Sequence, residues 1–244
     1  MAATDSLISL YADEEQLRAR SLIVIEGDTR LSDHWNFVAE AMNAIFAFTH
    51  DHDPGSEDEL TLQLLGVRLF NAAGASIKLA LSGYYQKAFH QVRDVIETSF
   101  LVDYLKTYPE EIDEWRRADR KKRMSYFGAR RIREALDKRD GYTSGKRKEI
   151  YDLISELASH PSYFGVALTT TNVGESLRVA QIGPFFDDNK LRAWLLEMTL
   201  RLSHAAFVLL RNPVASDTKL LKAKDHYLKV SDRWMSKYRD PAQR

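Results

Sequence analysis

The sequence predicts an all-α protein: a multi-helix bundle of about nine helices in one domain, residues 1–244, with a short β-hairpin inserted near residues 165–182. Three observations carry that prediction. Apolar residues recur at three- and four-residue spacing along most of the chain, the period of a helix with one buried face. Turn residues punctuate the pattern at short intervals, with no linker, internal repeat or low-complexity tract to separate domains. One stretch, VALTTTNVGESLRVAQIG, trades the helical period for Thr and Val runs around Asn172-Val173-Gly174, which suits a hairpin. With 44% of residues apolar, the chain can fill a sizeable core.

A first amphipathic helix is expected from about Ser6 to Glu26, ending at Gly27. Ser32 is expected to cap a second, which reaches about His50 on apolar Trp35, Val38, Met42, Ile45, Phe46 and Phe48. Pro54 and Gly55 make DHDPGSEDE a loop, and Ser56 followed by Glu59 forms a capping box ahead of LTLQLLGVRLF. That third helix runs to about Leu81, and its small residues, NAAGASIKLALS, allow a neighbouring helix to approach closely. Ser82-Gly83 is so short a turn that the helix in GYYQKAFHQVRDVIETSFLVDYL must return antiparallel.

Pro109 opens PEEIDEWRRADR, whose acidic start suits the positive end of a helix dipole. Helices are expected to continue through the basic stretch to about Lys138, break at Asp140-Gly141, and resume from about Ser144 to Ser159. After the hairpin, helix resumes at Asp187 or Asp188 and runs to Arg211, where Asn212-Pro213 ends it. A last helix, about Thr218 to Tyr238, closes the chain before a polar tail.

Composition excludes several chemistries. There is no cysteine, so disulfides, thiolate zinc sites and cysteine nucleophiles are absent. There is no G-x-G-x-x-G, no G-x4-G-K-[ST] and no G-x-S-x-G elbow, which excludes a P-loop and an α/β-hydrolase nucleophile. The N-terminus meets acids before any apolar run of signal length, and no window holds 18 to 20 uninterrupted apolar residues. A cytoplasmic location without a membrane partner is therefore expected. His50-Asp51-His52-Asp53 and Asp187-Asp188 are adjacent residues that rarely share one coordination sphere, and His90 with Asp94 lacks a third ligand squarely on its face. No metal and no cofactor are expected.

Net charge is zero, but it is not evenly spread. Residues 116–148 hold 14 Lys or Arg against 4 Asp or Glu, a local +10, so the remainder sums to −10. Arg116, Arg117, Arg120, Lys121, Lys122, Arg123, Arg130, Arg131 and Arg133, with Tyr126 and Phe127 interleaved, could grip a nucleic-acid backbone while the aromatics stack on bases. The same stretch could equally be a solvated face or an intramolecular partner for the acidic remainder of the chain, or dock on an acidic partner protein or a second copy of this chain, as in a homodimer.

On the fourth helix, Tyr85, Ala88, Phe89, Val92, Ile96, Ser99 and Phe100 form the core face, and Lys87, Gln91, Asp94 and Thr98 the solvent face. Arg93 and Glu97 stand at the edge between them. Either they pair with each other or bond to neighbouring helices, or Arg93 offers a bidentate grip on phosphate or carboxylate. Arg201 and His204 share a second face amid Trp194, Met198, Ala205 and Val208.

Gly83, Ala88, Arg93 and Glu97, as G-x4-A-x4-R-x3-E, together with Ser159-His160-Pro161, resemble a widespread group of uncharacterised bacterial helical proteins of the HEPN-like or abortive-infection type. The resemblance covers roughly residues 60–165. It implies RNA or another phosphate-bearing partner, in a stress or phage-defence setting. If cleavage occurs, it would use His160 for proton transfer and Arg93, beside Glu97, to stabilise phosphate charge. HEPN ribonucleases pair an Arg with a following His separated from it by four to six intervening residues. The nearest pairs here, Arg30 with His34 and Arg201 with His204, are more closely spaced.

Overall fold

The computed structural model describes residues 3–158, 163, 165–173, 177–211 and 217–238. It is an all-α bundle with a small hairpin, as the periodicity predicts. The α-helices are α1 (Ala3–Gly27), α2 (Thr29–Thr49), α3 (Glu57–Leu81), α4 (Tyr85–Thr107), α5 (Ile112–Arg117), α6 (Arg120–Ser125), α7 (Ala129–Arg139), α8 (Lys146–Ala158), α9 (Asp188–Leu210) and α10 (Thr218–Tyr238). Strands β1 (Thr170–Val173) and β2 (Leu177–Ala180) pair antiparallel, Thr170 opposite Ala180.

Helix starts follow their caps, with one correction. Ser56 Oγ accepts from the Glu59 amide as expected, but the second helix begins earlier than Ser32, because Asp28 caps it through the amides of Arg30 and Leu31. Ser32 instead donates its hydroxyl to the Ile25 carbonyl. The basic stretch is divided among three short helices: Ala118 leaves helical geometry with ψ 131°, and Gly128 does so with ψ 144°.

The core is one cluster to which α2, α3, α4 and α9 contribute most. The small residues of α3 do what their size predicts. Ala72, Ala73, Ser76 and Ala80 are buried, and α4 packs closely enough for Ser76 Oγ to donate to the Ala88 carbonyl at 2.9 Å. Trp194 of α9 donates its indole N–H to the same hydroxyl, so one serine ties three helices together. Helices α3 and α9 are long and apolar enough to cross a membrane by length and composition, and both pack in the bundle. The predicted core face of α4 is buried, but Thr98, expected on the solvent face, is buried as well. Neighbouring helices cover α4 on several sides, so one apolar stripe understates its burial.

Candidate functional site

Helices α2, α4, α8, α9 and α10 surround a cavity of about 510 Å³. Its polar lining is Arg30 and His34 from α2, Lys146 and Arg147 from α8, Arg201 and His204 from α9, Tyr142 from the loop before α8, Tyr238 from α10 and Ser99 from α4. Four of these side chains are cationic, two are imidazoles, and no Asp or Glu lines the space. The two short Arg/His pairs of the sequence thus converge from different helices on one place.

The cations differ in how they are held. Arg147 is fixed: Nη1 donates to Asp137 at 2.7 Å and Nη2 pairs with Asp140, leaving the side chain 11% exposed. Arg201 lies against Glu197 one turn earlier, at 2.8 Å. Arg30 and Lys146 form no ion pair among the described residues and rest near the rings of Tyr238 and Tyr142, at 5.9 and 4.9 Å. Cation–ring contacts of this length leave the charges available to an anion.

Both imidazoles are held neutral. His34 Nδ1 accepts from the Trp234 indole N–H at 3.0 Å, so the proton of the neutral ring sits on Nε2. Burial, helped by the charge of Arg30, lowers its pKa. Burial also pushes His204 down to about 4, with Arg147, Arg201 and Arg139 adding to the effect and Asp103 opposing it. Asp103 does not rescue His204 because it is committed elsewhere: Arg139 grips it at 2.7 and 3.0 Å and Arg211 at 2.9 Å.

Arg93 and Glu97 lie outside this cavity, at the packing of α4 on α8. Arg93 Nη2 reaches Glu97 at 2.9 Å and donates to the hydroxyl of Tyr151 at 2.5 Å, and that hydroxyl donates to Glu97 at 2.6 Å. Arg93 is therefore part of a three-membered network that includes a tyrosine the sequence does not single out. His160, with Ser159 and Pro161, lies outside the described residues.

Much of the basic stretch meets acids supplied by the fold. Arg116 pairs with Glu57, Asp58 and Asp113, Arg117 with Asp113, Lys122 with Glu114, and Arg130 with Glu134. Phe127 is core, and Tyr126 donates to Glu111 while the Arg131 guanidinium lies 3.5 Å from its ring centre. Arg120, Lys121 and Arg123 are exposed and without an ion pair among the described residues.

The adjacent residues weighed as metal ligands also disperse. His50 turns to Asp51, whereas His52 is buried between Glu59, at 2.7 Å, and Asp217, which joins α10 to the loop before α3. Among the described residues, His90 is exposed, and Asp94 pairs with Arg68 at 2.7 Å.

Arg30, Lys146, Arg147 and Tyr142 are the cavity residues that spacing alone cannot assemble, since two distant segments of the chain supply them. No protein-family model, curated protein or solved structure matches the chain.

Proposed function

We propose that this protein binds a phosphate-bearing ligand, with RNA the class to which its resemblance points, in the cavity between α2, α8 and α9. One observation carries the proposal: four cationic side chains and two neutral imidazoles line a concave space whose lining holds no carboxylate. Such a lining attracts negative charge, and guanidinium groups match phosphate oxygens in geometry as well as sign. The volume falls within the range of ligand cavities, about 300 to 1,000 Å³, and is far too small for a duplex, so the fitting unit is a single phosphate-bearing group with an attached ring or sugar. Neutral His34 and His204 can offer N–H donors to such a ligand without the repulsion two further cations would bring.

The test is equilibrium binding of labelled single-stranded RNA and of nucleoside phosphates to the full chain and to the Arg30→Gln/Lys146→Gln variant. The double variant is expected to weaken binding by at least about tenfold, the cost of two charge-assisted hydrogen bonds. Equal affinity for both proteins would overturn the cavity as the site.

A further inference from the structure

Outside the cavity, four buried side-chain atoms among the described residues lack a hydrogen-bond partner, and they meet at one place. They are Nε of Arg93 on α4, Nε and Nη1 of Arg133 on α7, and Oγ of Ser155 on α8. Tyr151 is their common neighbour: the Arg133 guanidinium lies 3.9 Å from its ring centre, that of Arg93 5.1 Å, and Ser155 follows it by one helical turn. Buried polar atoms in proteins are satisfied in about nine cases of ten or more, so the concentration of these at one three-helix junction calls for a partner.

The charges agree. Arg93 pairs with Glu97, whose Oε1 already accepts from Tyr151, and Arg133 forms no ion pair among the described residues. Asp137, one turn along α7 from Arg133, is taken by Arg147 at 2.7 Å. Arg133 is 7% exposed, and its ring contact with Tyr151 provides no hydrogen-bond acceptor in the guanidinium plane. A buried guanidinium in this condition is costly unless an anion joins it.

We propose that the α4–α7–α8 junction binds a phosphate group, free or as the end group of a larger ligand, through Arg133, Arg93 and Ser155. The orphaned donors come from three helices, so they suit an acceptor with oxygens in several directions, which a tetrahedral oxyanion has and a planar carboxylate has not. Entry lies along α4, where the Arg93 and Glu97 side chains keep 25% and 35% of their surface. None of these residues lines the cavity, so this site stands independently of the function proposed above.

The experiment disables the cavity first. In the Arg30→Gln/Lys146→Gln chain, inorganic phosphate is expected to raise the thermal midpoint saturably, beyond chloride at equal ionic strength. Adding Arg133→Met is expected to weaken that response by at least about tenfold while circular dichroism shows an intact fold. No response in the cavity-disabled chain, or one unchanged by Arg133→Met, overturns the site. If Arg133→Met does not fold, Ser155→Ala takes its place, with about threefold weaker phosphate binding expected from one lost hydrogen bond and unchanged binding overturning the site. Glycerol 3-phosphate serves as the second probe: a response equal to that of phosphate assigns an end-group site, and a response to phosphate alone assigns a free-phosphate site.

Discussion

His52 and His204 show how the same side chain acquires opposite pH behaviour from its surroundings. Burial works against protonated His52, but Asp217 and Glu59 outweigh it and raise its pKa, so its contribution to stability is present below the ordinary value of about 6.5 and is lost as pH rises through the folded value. For His204 the sign reverses. Its folded pKa of about 4 means the unfolded chain binds more protons between about 4 and 6.5, so its contribution is complete above that window and is lost as pH falls through it. Unfolding free energies of the natural protein and His204→Phe, measured from pH 7.5 to 5, are expected to draw together or cross as pH falls, with a slope of at most about 1.4 kcal/mol per pH unit, the value for one whole proton. Parallel curves would show that the folded chain does not hold the half-buried His204 ring neutral. The sequence reveals neither behaviour. It shows His204 on a face with Arg201, but Asp103 is 101 positions away and the acids that hold His52 lie 7 and 165 positions from it.

At the scale of elements the sequence is far more legible. The bounds of α10 match those expected, the start of α9 falls at Asp188, and the α3–α4 turn falls at Ser82-Gly83, because caps, prolines and glycines act within a few residues. Gly83 illustrates why that turn is so readable. Its φ is +84°, and a Cβ there would lie against the Phe185 carbonyl and 2.7 Å from the Phe185 nitrogen. Two constraints, one conformational and one steric, therefore demand glycine. Gly83→Ala is expected to cost about 2 to 3 kcal/mol in urea denaturation, more than backbone strain alone, and to loosen the segment before α9. A cost below about 0.5 kcal/mol would mean the turn has an unstrained alternative. Where local signals were misleading, as at Ser32 and Thr98, the cause is tertiary: a stronger cap lay four residues earlier at Asp28, and neighbouring helices bury the far side of α4.

For the whole molecule the decisive quantity is where the positive charge remains available. The sequence places a surplus of +10 in residues 116–148, which suggests an extended nucleic-acid grip. Folding brings Glu57 and Asp58 from the start of α3, and Asp113 and Glu114 from α5, onto that stretch, so Arg116, Arg117 and Lys122 are already paired. The cavity collects four cations with no acid in its lining, of which Arg147 and Arg201 are paired with acids outside the lining, while Arg30 and Lys146 form no ion pair among the described residues. Salt dependence separates the two arrangements. Each phosphate contact on a single strand contributes about −0.7 to the slope of log affinity against log salt, so the two unpaired cavity cations predict a slope near −1.4, whereas a backbone grip by six residues of the basic stretch would give about −4. Arg120→Glu with Lys121→Glu should leave the cavity slope nearly unchanged, since these residues are exposed and do not line the cavity, whereas Arg30→Gln with Lys146→Gln should reduce it by about 1.4. The opposite pattern, a steep slope that collapses with the Arg120 and Lys121 substitutions and ignores those at Arg30 and Lys146, would move the ligand from the cavity to the basic face, with the cavity cations then left to electrostatic balance inside the bundle.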